Sequence, residues 1–163
     1  MTIDRASITF RSRQQDDTAF LRDLYASTRS EELRVIDWPE QMKEQFLAMQ
    51  FHAQTVYYDE HYDTSEFFII EKDGRPIGRL YLDRQPEDLR IVDIALMPEW
   101  RGSGIGTMLL KEILEEAERS GTDVSIHVEH FNPAMKLYTR LGFEHVDTNG
   151  VYHLMRWRST NRV

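Results

Sequence analysis

Residues 97–114, MPEWRGSGIGTMLLKEIL, set glycines at 102, 104 and 106 directly before a run of helical apolar periodicity. Glycine costs backbone entropy and gives a core nothing to pack, so three on alternate positions leave main-chain N–H groups bare. Successive bare N–H groups leading into a helix N-terminus can cradle a pyrophosphate through peptide and helix dipoles. Two other phosphate loops do not fit. A Walker loop needs Gly-Lys-Ser/Thr after its spacer, which is absent here. The dinucleotide fingerprint G-x-G-x-x-G belongs to a first strand–helix turn, whereas this chain has G-x-G-x-G past its middle, with Thr107 where the last glycine would fall. A tight turn whose glycines permit close packing is the remaining alternative, and the loop alone does not separate it from the cradle.

The rest of the composition bounds the chemistry. A chain of 163 residues is about one domain, expected over 1–163, and 40% hydrophobic content is enough for a proper core. Twenty Lys and Arg against 28 Asp and Glu give a net charge of −8, which argues against a nucleic-acid binder and its basic stripe. A small anionic ligand held by amides and one or two arginines stays compatible. The chain has no cysteine, so disulfides, zinc–thiolate sites and a cysteinyl covalent intermediate are ruled out; no metal is expected. No apolar run approaches ~18 residues and MTIDRASITF lacks the apolar stretch of a signal peptide, so a soluble, cytoplasmic protein is expected, with neither nucleic acid nor membrane as partner.

The elements that must position the loop follow from periodicity. SITFRSR (7–13) reads as a first strand, and Asp16 or Asp17 suits the cap of a helix through TAFLRDLYAST. The segment 40–58 places Met42, Phe46, Met49, Ala53 and Val56 at 4-3-4-3 spacing, predicting a helix that buries this face. EFFIIEKDGRPIGRLYLDRQ reads as a hairpin turning at Asp73–Gly74. Strand 89–97, helix 107–120 and strand 123–129 form a βαβ unit, whose strands should be parallel neighbours with a right-handed crossover. The glycine loop then lies at the carboxyl end of the unit's first strand, where open α/β sheets place ligands. A short helix over NPAMKLYTRL and a hairpin around Asn149–Gly150 close the chain. The expected fold is α+β in three layers: a mixed, mostly antiparallel sheet of six to seven strands with about four helices.

A second stretch, FNPAMKLYTRLGFE (131–144), separates the readings of the loop. Together with VDIALMPEWRGSGIGTMLL (92–110) it resembles the GCN5-related N-acetyltransferase (GNAT) superfamily, through Arg101-Gly102-Ser103-Gly104-Ile105-Gly106 and through Asn132, Leu137–Tyr138 and Gly142–Phe143. The element order also fits, so the resemblance covers almost the whole chain. It implies acetyl-CoA as co-substrate, with the pyrophosphate on the N–H groups from Arg101 through Thr107 and the pantetheine arm along Ile94, Ala95 and Leu96 like an added strand. It implies a bulge that splays the fourth and fifth strands into a cleft, and a backbone N–H near Leu96 that stabilises the oxyanion. Tyr138 matches the family's tyrosine, the acid that protonates the leaving sulfur; as a residue alone it could equally be a half-buried aromatic of an amphipathic helix. Asn132 either hydrogen-bonds the arm or caps its helix.

The base is less determined. Arg90 occupies the position of the glutamate used by the histone-acetyltransferase branch, so that role does not transfer. Asp93 and Glu129 are the remaining strand carboxylates near the cleft, with His127 on the face of Glu129; each acts directly, acts through water, or forms a structural ion pair. An ordered-water route with no single base also stands. For the acceptor, Gln50, Gln54 and Tyr57 at i, i+4 and i+7 make a polar strip, on the helix where the family builds part of its pocket. The acidic, aromatic stretch YYDEHYDTSE (57–66) would suit a cationic amine. The reading is therefore an N-acetyltransferase transferring acetyl directly to a primary amine of a small molecule or peptide. The alternatives are a non-catalytic acyl-CoA sensor and an acyltransferase with a non-amine acceptor. Homodimers are frequent in the family and so are among the expected states.

Overall fold

The computed structural model describes residues 3–62 and 66–161. Seven strands form one sheet: β1 (Ile8–Ser12), β2 (Glu66–Lys72), β3 (Arg75–Arg84), β4 (Asp88–Leu96), β5 (Asp123–Glu129), β6 (Glu144–Asn149) and β7 (Tyr152–Trp157). Four α-helices complete the architecture: α1 (Thr18–Arg34), α2 (Glu40–His61), α3 (Ile105–Ser120) and α4 (Met135–Arg140). The strand order is β1-β2-β3-β4-β5-β7-β6, and every neighbour pair is antiparallel except β4 with β5. The expected fold class is thus the observed one. Among the described residues no helix is long and apolar enough to cross a membrane.

Two cores lie on opposite faces of the sheet. On one face α3 and α4 bury Ile105, Leu109, Leu110, Ile113, Leu114, Ala117 and Tyr138 against Ile70, Leu80, Leu82, Ile91, Val124 and Ile126. On the other, Leu21, Leu24 and Tyr25 of α1 and Phe51 of α2 cover Ile69. Helix α3 is amphipathic along its length, while glycines take left-handed conformations at both ends, φ +93° at Gly104 and +72° at Gly121. Because Gly104 is the cap, α3 begins at Ile105, two residues before the expected Thr107. Helix α1 runs to Arg34, past the expected Thr28, since SEELR continues without a breaker. Its expected cap does not form. Asp17 turns back instead, accepting from the N–H of Gln14 at 2.7 Å and pairing with Arg11 at 2.8 Å. The Asp73–Gly74 hairpin forms as read, with φ +49° and +81° at those two residues.

The middle of the sheet carries one irregularity that matters. On β3 Tyr81 faces Asp93 while the next residue, Leu82, faces Ile91, so Val92 is an extra residue, a β-bulge in β4. The parallel pairing with β5 runs from Asp88↔Asp123 to Ile91↔Ile126 and ends there. Beyond it, Asp93–Leu96 stay paired only with β3, and His127–Glu129 only with β7. The two central strands therefore part at the bulge, leaving the β5-facing edge of β4 free.

β4 is held hard against β3 throughout this stretch. A Cβ on Gly78 would lie 2.3 Å from the carbonyl oxygen of Ala95, far inside contact distance. Replacing Gly78 with alanine therefore forces backbone apart and is expected to cost about 1–3 kcal/mol or more; a urea-denaturation midpoint equal to that of the parent chain would contradict this packing.

Candidate active site

Three pieces converge where β4 leaves β5. The first is the glycine turn. Gly102 and Gly104 have φ of +72° and +93°, a region that glycine occupies without strain. Gly106 does not, yet a Cβ built on Gly102, Gly104 or Gly106 meets nothing within 4 Å. The close-packing explanation of the triplet therefore fails, because nothing packs there. Conformation accounts for two of the glycines, and Gly106, in the first turn of α3, keeps open space beside the helix N-terminus. Ser103 Oγ donates to the carbonyl of Trp100 at 2.6 Å, tying the turn down. Arg101 reaches across it, Nε to the Leu96 carbonyl at 3.0 Å and Nη2 to Ser27 Oγ at 2.9 Å.

The second piece is the edge of β4 left without a partner strand, formed by Ile94, Ala95 and Leu96, all half-buried, with the Leu96 carbonyl accepting, among the described residues, only from Arg101. The third is Tyr138 on α4, only 4% exposed and packed edge-on to Phe143 at 5.6 Å between ring centres. Burial, and then the negative charge of Asp93, push its hydroxyl above the ordinary tyrosine range. The charge of Asp93 also contributes to upward shifts at Tyr58 and Tyr152, both led by burial. Tyr138 from one face of the sheet and Tyr58 and Tyr152 from the other thus feel one carboxylate through the gap between β4 and β5.

Asn132 uses its side chain locally: Oδ1 accepts from the N–H of Ala134 at 2.9 Å in the turn that leads into α4, whose cap position is Ala134, because the helix begins only at Met135. Asp93 and Glu129 both carry arginine partners. Arg79, 4% exposed, donates from Nη2 to Asp93 Oδ2 and to Gln54 Oε1, and Tyr58 donates its hydroxyl to the same Oδ2 at 3.2 Å. Glu129 is held differently, with Arg29 donating to Oε1 at 2.8 Å and to Oε2 at 3.2 Å. His127 does share the face of Glu129, but its Nδ1 is 3.2 Å from Arg90 Nη1. Burial and that arginine lower its pKa.

The expected polar strip of α2 does not form. Gln54 points to the sheet and binds Arg79, Gln50 accepts from Tyr25 at 3.2 Å, and Tyr57 lies outside, stacked on His61 at 3.9 Å. The expected apolar face is reversed as well, with Met42, Met49 and Val56 in solvent. The cause lies opposite the helix: the sheet presents Arg79 and Asp93 there, and buried charges demand partners, which Gln54 and Tyr58 supply. Of the acidic stretch 57–66, residues 63–65 lie outside the described residues.

A pocket of about 360 Å³ opens beside Glu129, walled by Leu33, Ile36, Phe46, Phe131 and Val151, with Arg29, Glu32, Gln50 and Tyr152 contributing the polar groups. Sequence reasoning missed Arg29, Arg79, Tyr58 and Tyr152. Strand alternation could have found one: Arg79, Tyr81 and Asp83 share a face of β3, and a buried strand with charges on one face needs counter-charges above it. Among the described residues no three His, Asp or Glu are grouped to hold a metal.

Comparison with known proteins adds the lineage of this arrangement. Residues 13–143 match the acetyltransferase (GNAT) family profile. The chain belongs to that family. An uncharacterized N-acetyltransferase of Methanocaldococcus jannaschii is 34% identical over 92 residues, about half of this GNAT chain but only 40% of that protein. The PaiA N-acetyltransferase of Thermoplasma acidophilum, solved with coenzyme A, superimposes with a TM-score of 0.69 over 93% of this chain and 99% of that one, at 19% identity. The ribosomal-protein-S18-alanine N-acetyltransferase of Escherichia coli gives 0.59 over 93% of each chain at 17% identity. These two likenesses establish the fold.

The buried Arg79–Asp93 pair is the structural tie between α2 and the centre of the sheet. Arg79→Met leaves the carboxylate buried beside no cation and should cost about 3–5 kcal/mol in unfolding free energy. Adding Asp93→Asn should recover part of that loss in the same denaturation experiment, and a single variant as stable as the parent chain would show that the pair does not hold α2.

Proposed function

We propose that this chain is an acetyl-CoA-dependent N-acetyltransferase passing acetyl directly to a primary amine. The observation that carries the reading is the splay at Val92: it frees a strand edge that leads directly to a turn where three glycines leave open space at a helix N-terminus. That cradle fits a diphosphate. Main-chain N–H groups from Gly102, Ser103, Gly104, Gly106 and Thr107 would hold it with the dipole of α3, while the expected N–H of Arg101 is taken by the Pro98 carbonyl at 3.2 Å and that of Ile105 by Ser103 Oγ at 3.4 Å. The free edge at Ile94, Ala95 and Leu96 would pair with the amide-rich arm. When bound, acetyl-CoA supplies a thioester whose acyl carbon is open to attack by an amine.

The chain's own groups then have separable tasks. Tyr138, kept protonated by burial and by Asp93, donates a proton at the sulfur. Asp93 accepts the amine's proton at Oδ1, directly or through a water, because Arg79 and Tyr58 both occupy Oδ2. Glu129 gives both oxygens to Arg29 and serves instead as a wall of the acceptor pocket. That pocket combines apolar walls with Glu32 and Glu129, which suits an ammonium carried on an apolar group, such as a peptide N-terminus or a small apolar amine. The test is turnover of acetyl-CoA against a panel of such amines. Binding of acetyl-CoA with no amine turned over would identify a sensor instead of an enzyme.

Two outcomes separate the parts of this reading. Gly104→Val puts a branched side chain at φ +93° in the cradle and should weaken CoA binding at least tenfold by calorimetry; undiminished affinity would remove the cradle. Tyr138→Phe should leave CoA binding intact and lower turnover about tenfold or more. The acid works while protonated, and its pKa lies above the usual value of about 10. The rate ratio of parent to Tyr138→Phe should therefore stay flat from about pH 7 to about pH 9, and a ratio that collapses in that window would refute the assignment.

A further inference from the structure

The solvent-facing side of α2 is built like a helix–helix seam. Met42, Phe46, Met49, Ala53 and Val56 repeat at the 4-3-4-3 spacing of a coiled coil, over about 21 Å of helix axis. Met42, Met49 and Val56 are 47%, 63% and 39% exposed. Ala53 is exposed too, and Phe46 is half-buried with Trp38 edge-on at 5.4 Å. The stripe cannot roll inward, because the opposite side of the helix is committed through Phe51 in the core, Gln54 on Arg79 and Tyr58 on Asp93. Between Glu44 and Asp59 the helix carries no Asp, Glu, Lys or Arg, although 29% of the chain is charged. A solvent-facing surface stripped of charge has the composition of an interface core.

We propose that a second copy of this chain covers the stripe, its α2 running antiparallel across a two-fold axis at Met49. The stripe is complementary to itself under that rotation; the parallel pairing that the same spacing also permits sets like against like. Met42 and Val56 each lie seven residues from Met49, so each meets the other across the axis. Phe46 meets Ala53 of the partner subunit, a large side chain against a small one, where a parallel pair would set Phe46 against its own copy. Just outside the seam Gln45 comes opposite His52 of the partner subunit, an amide able to donate to or accept from a ring nitrogen. No like charges meet along the seam. A two-fold isologous contact needs this self-complementarity.

A lipid surface fits poorly. The ends of the helix bear Glu40, Glu44, Asp59 and Glu60 against a single Lys43, on a chain of net charge −8, and anionic membranes attract basic helices. Phe46 and Gln50 also line the pocket beside Glu129, so the partner's helix would stand at the rim of that pocket. None of this rests on the transferase reading.

The absence of cysteine makes a direct test clean. Met49→Cys puts one thiol on the proposed axis, and Glu44→Cys puts one on an exposed position of the same helix well round from the seam. Mild oxidation should convert most of the first variant to a disulfide-linked dimer and little of the second. By sedimentation equilibrium the parent chain should dimerise with a concentration dependence that Met49→Glu shifts at least tenfold, since two carboxylates would then face each other. Met49 is exposed, so that variant should keep the parent's circular dichroism. A parent chain that stays monomeric, a dimer that survives Met49→Glu, or equal cross-linking at positions 44 and 49 would each overturn the proposal.

Discussion

One extra residue in the fourth strand governs this molecule. A parallel pair can continue only while both strands keep the same rise and twist, and the extra residue Val92 breaks that match. Past it, β4 and β5 each keep one partner and lose the other. Main-chain hydrogen-bonding groups that elsewhere in the sheet satisfy one another are left facing a gap. Unpaired strand edges inside a fold are costly unless water or a ligand completes them, and on the proposed reading an extended, amide-bearing chain completes this one. The tight approach of Gly78 to Ala95 keeps the bent half of β4 rigid while its other edge is open.

The βαβ unit adds direction to that gap. β4 delivers the chain to the glycine turn, and α3 leads away with its N-terminus at the end of the free edge, so on the proposed reading the strand's unpaired groups and the helix dipole address one ligand from two sides. α3 can hold this position because its six buried side chains anchor it to the sheet from Ile105 onward. The turn is therefore shaped by packing that lies entirely behind it. No side chain of the turn needs to carry charge, so the acidity of the chain does not stand against the proposed anion site.

How much of this was legible in the sequence depended on whether a feature was local. The hairpin at Asp73–Gly74 follows from residues a few positions apart and the parallel β4–β5 pair from one continuous βαβ unit, and each appears as read. The orientation of α2 does not follow in that way. Its 4-3-4-3 apolar spacing outweighs every local signal for the opposite face, where only Leu47 and Phe51 are large and apolar. What turns the helix is non-local: Arg79 and Asp93 sit on strands far along the chain and need Gln54 and Tyr58 above them. Local periodicity describes a helix's two faces; the surface it lands on decides which is buried. The same ignorance of what lies opposite hid Arg29, which reaches Glu129 across 100 positions.

The two arginine-paired carboxylates, finally, give the cleft a property that neither would have alone. An isolated buried carboxylate beside an entering ammonium would hold it as an ion pair, and a proton-bearing amine cannot attack. With Arg79 on Asp93 and Arg29 on Glu129, the local field near the gap is close to neutral, and Glu32 at the mouth is the acid that keeps excess negative charge, although it too touches Arg29, at 3.1 Å. On the proposed reading an amine is drawn in at the rim and meets progressively less stabilisation of its charged form as it moves inward past Tyr152. Desolvation there favours the neutral amine, the nucleophilic form, and does so before any single base acts. A centre that works in this way would depend on the balance of four charges, Arg79, Asp93, Arg29 and Glu129, so on the proposed reading the arginines, absent from any motif, belong to the chemistry as much as the carboxylates they hold.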